Sequence, residues 1–130
     1  MQYIRDGQIA EALQAFQAAY QGDPTDVEII NNLGDAYVRS SDLQAAESLL
    51  FLALVFAPGR ANAWANLGAT YAKQGQHSAA VACLANAYRF SRNQDATRQF
   101  LQQWADGEDQ EIREAARQTL QLPLVQAGKP

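Results

Sequence analysis

The chain lands on itself when shifted by 34 residues, and this period constrains its fold more than any other feature. Leu33-Gly34 falls on Leu67-Gly68, Tyr3 on Tyr37, and Tyr37 on Tyr71. Ala12, Ala46 and Ala80 share a column, as do Phe16, Leu50 and Leu84, and then Ala19, Ala53 and Ala87. Pro24 matches Pro58, while Arg92 breaks that series; Gly7 and Gly75 align with Ser41 between them. Each copy carries two apolar patterns of helical period, split by a turn at Gly7-Gln8, Ser41-Asp42 or Gly75-Gln76. Gly34 and Gly68 fall in mid-helix, where glycine costs about 1 kcal/mol relative to alanine. Such a loss is accepted where a larger side chain would keep a second helix away, and the small Ala46 and Ala80 are the expected opposing surface. Pro24 and Pro58 end each second helix, because proline lacks the amide proton and disfavours helix in the residue before it. Units of this kind bury their apolar face only against neighbours, which makes a solenoid.

The segment Trp64-Ala65-Asn66-Leu67-Gly68-Ala69-Thr70-Tyr71, with Ala80 and Leu84 after it, resembles the W-x-x-L-G-x-x-Y helix of the tetratricopeptide repeat family. The copy before it has Ile30 for the tryptophan, then Leu33, Gly34, Tyr37, Ala46, Leu50 and Pro58. The resemblance covers residues 1–94 and implies an all-α fold. That fold is a right-handed solenoid of antiparallel helix pairs with a degenerate C-terminal capping pair. The expected division is a partial repeat at 1–26, full repeats at 27–60 and 61–94, a capping pair at 95–122 and a loose tail at 123–130. About seven helices are expected, the first one short, with no strand. A repeat preceding the one at Val27 would begin before residue 1. Only Met1 to Arg5 of its first helix would then be present, which reads as a piece trimmed from a larger protein. Past Asp95 the pattern degrades: Leu101 keeps the register of Leu67, but Gln102 replaces the glycine and Ala105 the tyrosine. The alanine–leucine pair returns as Ala116 and Leu120, with two residues added to the turn around Asp106-Gly107-Glu108-Asp109.

Composition removes several function classes. Ten Lys and Arg against 14 Asp and Glu give a net charge of −4, the wrong sign for a phosphate-backbone binder, so no nucleic-acid partner is expected. The longest apolar run, Leu49 to Ala57, is far short of the roughly 20 residues of a membrane span, and no direct membrane insertion is expected. The compartment stays open between cytoplasm and periplasm. Cys83 has no second cysteine, and nothing cationic is placed to activate it, so it reads as a half-buried structural thiol. His77, the sole histidine, reads as a surface turn residue without the partners that a metal or a general base needs. Asp106, Glu108, Asp109 and Glu111 lack the spacing of a calcium loop and instead suit the start of a helix. Tyr3, Tyr37, Tyr71 and Trp64 recur in core columns and read as packing residues. No catalytic residue, metal or cofactor is expected.

Two features remain as candidate sites. The resemblance implies that first helices line a concave groove, and the columns beside the core then hold Arg5, Glu28, Asn31, Asn32, Asp35, Arg39, Asn62, Asn66, Ala69 and Lys73. The asparagine amides can both donate to and accept from an extended peptide backbone. Arg39 and Lys73, one period apart, read as a basic row that Arg5 extends, attracting a segment with acidic residues. The family's carboxylate clamp for chaperone tails is matched only in its asparagine part, because Asn31, Asp35, Asn62 and Asn66 stand at the relevant places. The second feature is the helix through Leu49–Ala57, apolar all round. Phe51, Leu52 and Val55 correspond to Gln17, Ala18 and Gln21 in the first copy and to Ala85, Asn86 and Arg89 in the third. Apolar bulk on what should be a polar outer face marks a protein contact. The expected function is therefore a protein-interaction module, an adaptor or assembly factor for a protein or peptide partner. Resemblance of the Ala- and Gln-rich repeats extends this to bacterial pilus, secretion or envelope assembly. The competing reading is a self-associating scaffold, a possible homodimer through the apolar helix.

Overall fold

The computed structural model describes residues 6–128. Among them are eight helices and no strand: α1 (Asp6–Gly22), α2 (Val27–Arg39), α3 (Leu43–Phe56), α4 (Ala61–Lys73), α5 (His77–Phe90), α6 (Gln94–Ala105), α7 (Gln110–Leu120) and α8 (Pro123–Ala127). The helix starts are written locally. Asp26 accepts from the amides of Glu28 and Ile29, Asp42 from Ala45, Asn93 from Ala96 and Asp109 from Ile112, so each satisfies amides that have no intrahelical partner. Pro24 and Pro58 lie just past the ends of α1 and α3. Between paired helices the chain turns through a left-handed residue, Ser41 (φ 66°) in one repeat and Gly75 (φ 78°) in the next.

The pairs α2–α3 and α4–α5 are antiparallel hairpins whose separation is set at the two glycines. A Cβ built on Gly34 would stand 2.8 Å from Leu50 Cδ2, and one on Gly68 would stand 2.8 Å from Leu84 Cδ2 and 3.3 Å from the Ala80 carbonyl oxygen. The nearest side chain is thus the fully buried leucine one turn beyond the expected alanine, with Ala46 and Ala80 completing the contact. Two core clusters result. One joins Ile30, Val38, Leu50, Leu54 and Leu67; the other joins Leu84, Ala87, Leu101 and Ala115. Trp64 and Tyr71 pack against both, and the Trp64 indole donates to the Pro58 carbonyl at 2.8 Å.

Several expectations need correction. The turn expected at Gly7-Gln8 is absent: α1 runs 17 residues straight through it. The remnant expected at Met1–Arg5 lies outside the described residues. The expected loose tail instead contains α8, which begins with a proline at its first position and buries Val125 completely. In the terminal pair, α7 rather than α6 is the helix that chiefly covers α5 and reaches α4. Lys73, the last residue of α4, pairs with Asp109 at the start of α7 (2.9 Å), and His77, the first residue of α5, meets Gln118 near its end (2.5 Å). The start of α7 is thus tied to the end of α4 and its later part to the start of α5, with Ala115 in the second core cluster. Gln102 in place of the glycine denies α6 a point of closest approach, whereas Ala115 and Ala116 give α7 one.

These contacts generate two expectations. Gly68→Leu should lower the urea midpoint by an amount matching overpacking of about 1–3 kcal/mol or more. Gln76→Ala, an exposed N-cap position without a side-chain cap, should stay within about 0.5 kcal/mol of the parent; equal midpoints would remove the packing argument. Gly75→Ala should cost about 1–2 kcal/mol through backbone strain alone, because nothing lies within 4 Å of the added Cβ. Thermal unfolding of that variant checks it, and an unchanged midpoint would show the turn free to relax.

Candidate functional site: the first-helix face and the apolar second helix

The face shared by α2 and α4 is polar and internally paired. Glu28 on α2 forms an ion pair with Arg60 at the N-cap of α4, and Arg60 Nε also donates to Asn62 Oδ1 at 3.2 Å. Asn66 Nδ2 donates to Asn31 Oδ1 at 3.1 Å, joining the two helices through their amides. Asp35 and Arg39 pair within α2 at 3.1 Å, and Lys73 pairs with Asp109 at 2.9 Å. The structure therefore brings Glu28, Asn31, Asn62 and Asn66 together across two repeats. Asn32 is partly exposed and Asn62 exposed, whereas Asn31 and Ala69 are buried and present little surface to a ligand. Arg5 lies outside the described residues.

The basic row expected from Arg39 and Lys73 is not an open positive strip, because each cation already has a carboxylate partner. Two of the pairing residues were missed in the sequence. Arg60 occupies the column of Asp26, one period on, so a change of sign in a single column was the available cue. Asp109 carries no such cue, because it lies beyond the periodic region. Burial pushes the Asp109 carboxyl up, but hydrogen bonds from the Lys73 ammonium and the Ile112 amide outweigh it and hold the group below the usual carboxylate range.

On α3, Phe51 is 47% and Val55 74% exposed, and Phe56, part of the apolar run but not among the three residues singled out, is 48% exposed. Leu52 departs from expectation: it is partly buried against the first core cluster, because the helix turns that side toward its neighbours. A cleft of about 590 Å³ runs between α1, α2 and α3, lined by Gln17, Tyr20, Leu33, Tyr37 and Leu49 among others. Gln17 and Gln21 edge it, and one period on their columns hold Phe51 and Val55. The apolar residues thus occupy columns that border an inter-repeat cleft. Cys83 is buried more deeply than expected, and burial pushes its thiol up to about 11, which leaves it without nucleophilic thiolate near neutral pH. His77 is half-buried at the start of α5, not an open turn residue. No helix among the described residues is long and apolar enough to cross a membrane, and no group of three or more His, Cys, Asp or Glu among them could hold a metal ion.

The Lys73–Asp109 pair makes a testable statement about pH. A carboxylate whose folded pKa is depressed contributes stability above its unfolded pKa of about 3.9 and loses it as pH falls through the lower folded value. With side chains 30% and 38% exposed, the pair stays within the roughly 0–1 kcal/mol of solvent-screened bridges. Urea midpoints of the parent and Lys73→Gln should differ by that small amount from about pH 5 upward and converge toward pH 2. A difference that persists undiminished at pH 2 would show that Lys73 acts through packing of its stem instead.

Comparison with protein-family models matches residues 3–59 and again residues 61–94 to the tetratricopeptide repeat. Comparison with curated proteins gives no match. The matched residues span α1–α5, the part of the chain that holds both glycine contacts and the shared α2–α4 face. With the period, the helix pairs and both matches in agreement, the chain belongs to the tetratricopeptide repeat family, whose arrays generally mediate protein–protein interaction.

Proposed function

We propose that the chain acts as an adaptor or assembly factor that holds an extended partner segment along the α2–α4 face. The observation carrying this reading is the amide array of that face. The Asn31–Asn66 hydrogen bond fixes the orientation of two side chains across repeats, and Asn32 and Asn62 stand beside it with surface to offer. A carboxamide both donates and accepts, as a peptide backbone does, so a row of them suits an extended chain of loose sequence preference. Glu28–Arg60, Asp35–Arg39 and Lys73–Asp109 flank the row with balanced charge. The favoured segment is therefore polar with mixed charge, rather than simply acidic. Bacterial pilus, secretion or envelope assembly is the setting the resemblance suggests.

Peptides selected from a random display library against this chain should lose about five- to tenfold in affinity for each of Asn32→Ala and Asn62→Ala, the size of one neutral hydrogen bond. Fluorescence anisotropy measures this, with circular dichroism confirming unchanged helicity. Selected peptides that bind parent and double variant equally would overturn the groove reading.

A second reading rests on the exposed apolar residues of α3. Phe51, Val55 and Phe56 together are an aggregation hazard unless covered, since burying each such side chain is worth about 1.5–3 kcal/mol. In this reading α3 is a contact surface of a self-associating scaffold. Phe51→Gln with Val55→Gln should abolish a concentration-dependent dimer in light scattering and leave the melting of the monomer nearly intact. A parent chain that stays monomeric at high concentration would remove this reading.

A further inference from the structure

A cleft of about 260 Å³ opens between α6, α7 and α8, away from both surfaces described above. Arg98 and Arg117 line it with Gln102, Gln121 and Gln126, over a floor that includes Leu120 and Val125. In a chain with 14 acidic against ten basic residues, this lining has two guanidinium groups, three carboxamides and no carboxylate.

Both arginines are held in place and incompletely compensated. The Arg98 side chain is only 15% exposed and lies over the Tyr88 ring, 5.6 Å from its centre. Its Nη1 donates to Asp95 at 2.8 Å, and its Nη2 to the Tyr88 hydroxyl at 2.9 Å and the Val125 carbonyl at 3.3 Å. Its Nε is buried with no acceptor in reach. The one countercharge, Asp95, is 76% exposed, so solvent screens much of its effect on a buried cation. Arg117 fixes its stem by donating from Nε to the carbonyl of Ala105, the last residue of α6. Among the described residues, no carboxylate lies within ion-pair distance of it. A guanidinium anchored through Nε still has its terminal N–H groups to present as a fork, the geometry that suits carboxylate and phosphate.

We propose that this cleft binds a small, multiply charged oxyanion between Arg98 and Arg117, and that the bound anion ties α8 to the terminal helix pair. The volume lies below the about 300–1,000 Å³ of sites for drug-sized ligands, which selects a compact anion such as phosphate or a short polycarboxylate. Of the glutamine amides, Gln102 already donates to Asp106 and Gln126 to the Leu120 carbonyl, which leaves Gln121 as the neutral donor for such oxygens. Closure by α8 links the anion to folding, because Val125 is buried on the wall from which its carbonyl meets Arg98.

The test is isothermal titration of the whole chain at low ionic strength with inorganic phosphate, with citrate and, as control, with chloride. Saturable one-to-one binding of phosphate or citrate, but not chloride, is the expected result, and the tighter of the two assigns the source of the oxyanion. Arg117→Gln, at an exposed position, should weaken that binding roughly tenfold or more, the loss expected for charge-assisted hydrogen bonds, with helicity unchanged. Gln121→Glu, also exposed, supplies a countercharge from within the chain; it should abolish the titration and raise the melting temperature in anion-free buffer. No saturable binding of either anion, equal binding by the parent and both variants, or a chloride response of the same size would each overturn the proposal.

Discussion

Where Gly34 faces Leu50 and Gly68 faces Leu84, the two helices of a repeat come so close that an added Cβ would stand 2.8 Å from a leucine methyl and force that side chain to shift. The remaining geometry follows from these two contacts. They set the spacing inside each hairpin, and at that spacing Ala46, Ala53, Ala80 and Ala87 are buried completely or nearly so. Glycine in mid-helix weakens the isolated helix by about 1 kcal/mol. The loss is offset because a fully enclosed leucine gains its contacts against bare backbone, and each such burial is worth about 1.5–3 kcal/mol. Trp64 and Tyr71, packed against both clusters, then carry the stacking from one repeat into the next.

Beyond the fifth helix the same chemistry gives a different arrangement. The first helix of the pair loses its glycine to Gln102, while the second keeps its small residues as Ala115 and Ala116, both fully buried. The helix on the preceding hairpin is accordingly α7, held at its two ends by Lys73–Asp109 and His77–Gln118. Arg113 and Arg117 of α7 donate to the carbonyls of Gly107 and Ala105, which satisfies the end of α6 and fixes the pair as a unit. With α8 packed on α5 and α7, the terminal helices cover the last repeat with contacts that the periodic part of the chain does not contain.

The charged groups on the shared first-helix face work mainly with one another. Each of Arg39, Arg60 and Lys73 has its acidic partner on this face or at the start of α7, so the face carries little net field. In the proposed function, selectivity would fall to hydrogen bonding and shape, and the Asn31–Asn66 link holds two amides in a fixed orientation on this face. The apolar residues of α3 follow a different logic. Phe51 and Val55 stand in columns occupied by exposed glutamines in the first repeat, so the exposure belongs to the architecture and only the apolar character is particular to one repeat.

Much of this was legible in the chain itself. The 34-residue period, the turn residues and the prolines fix α2 to α5, because helix period, capping and chain breaking are local properties that each copy writes out again. The mid-helix glycines announced a close contact, and the mismatch of Phe51 and Val55 with their columns announced exposed apolar surface. The identity of the residue facing each glycine was not legible, because it depends on the angle at which the helices cross; Leu50 and Leu84 take that place. Pairing of Glu28 with Arg60 and of Lys73 with Asp109 was likewise decided in space, since long charged side chains reach across helices to partners that a column alignment does not join. The packing of α7 on α4 and α5, the docking of α8 and the arginine-lined cleft between the terminal helices belong wholly to the tertiary structure. Past residue 94 no period relates one helix to the next, and packing against the last hairpin alone selects their places.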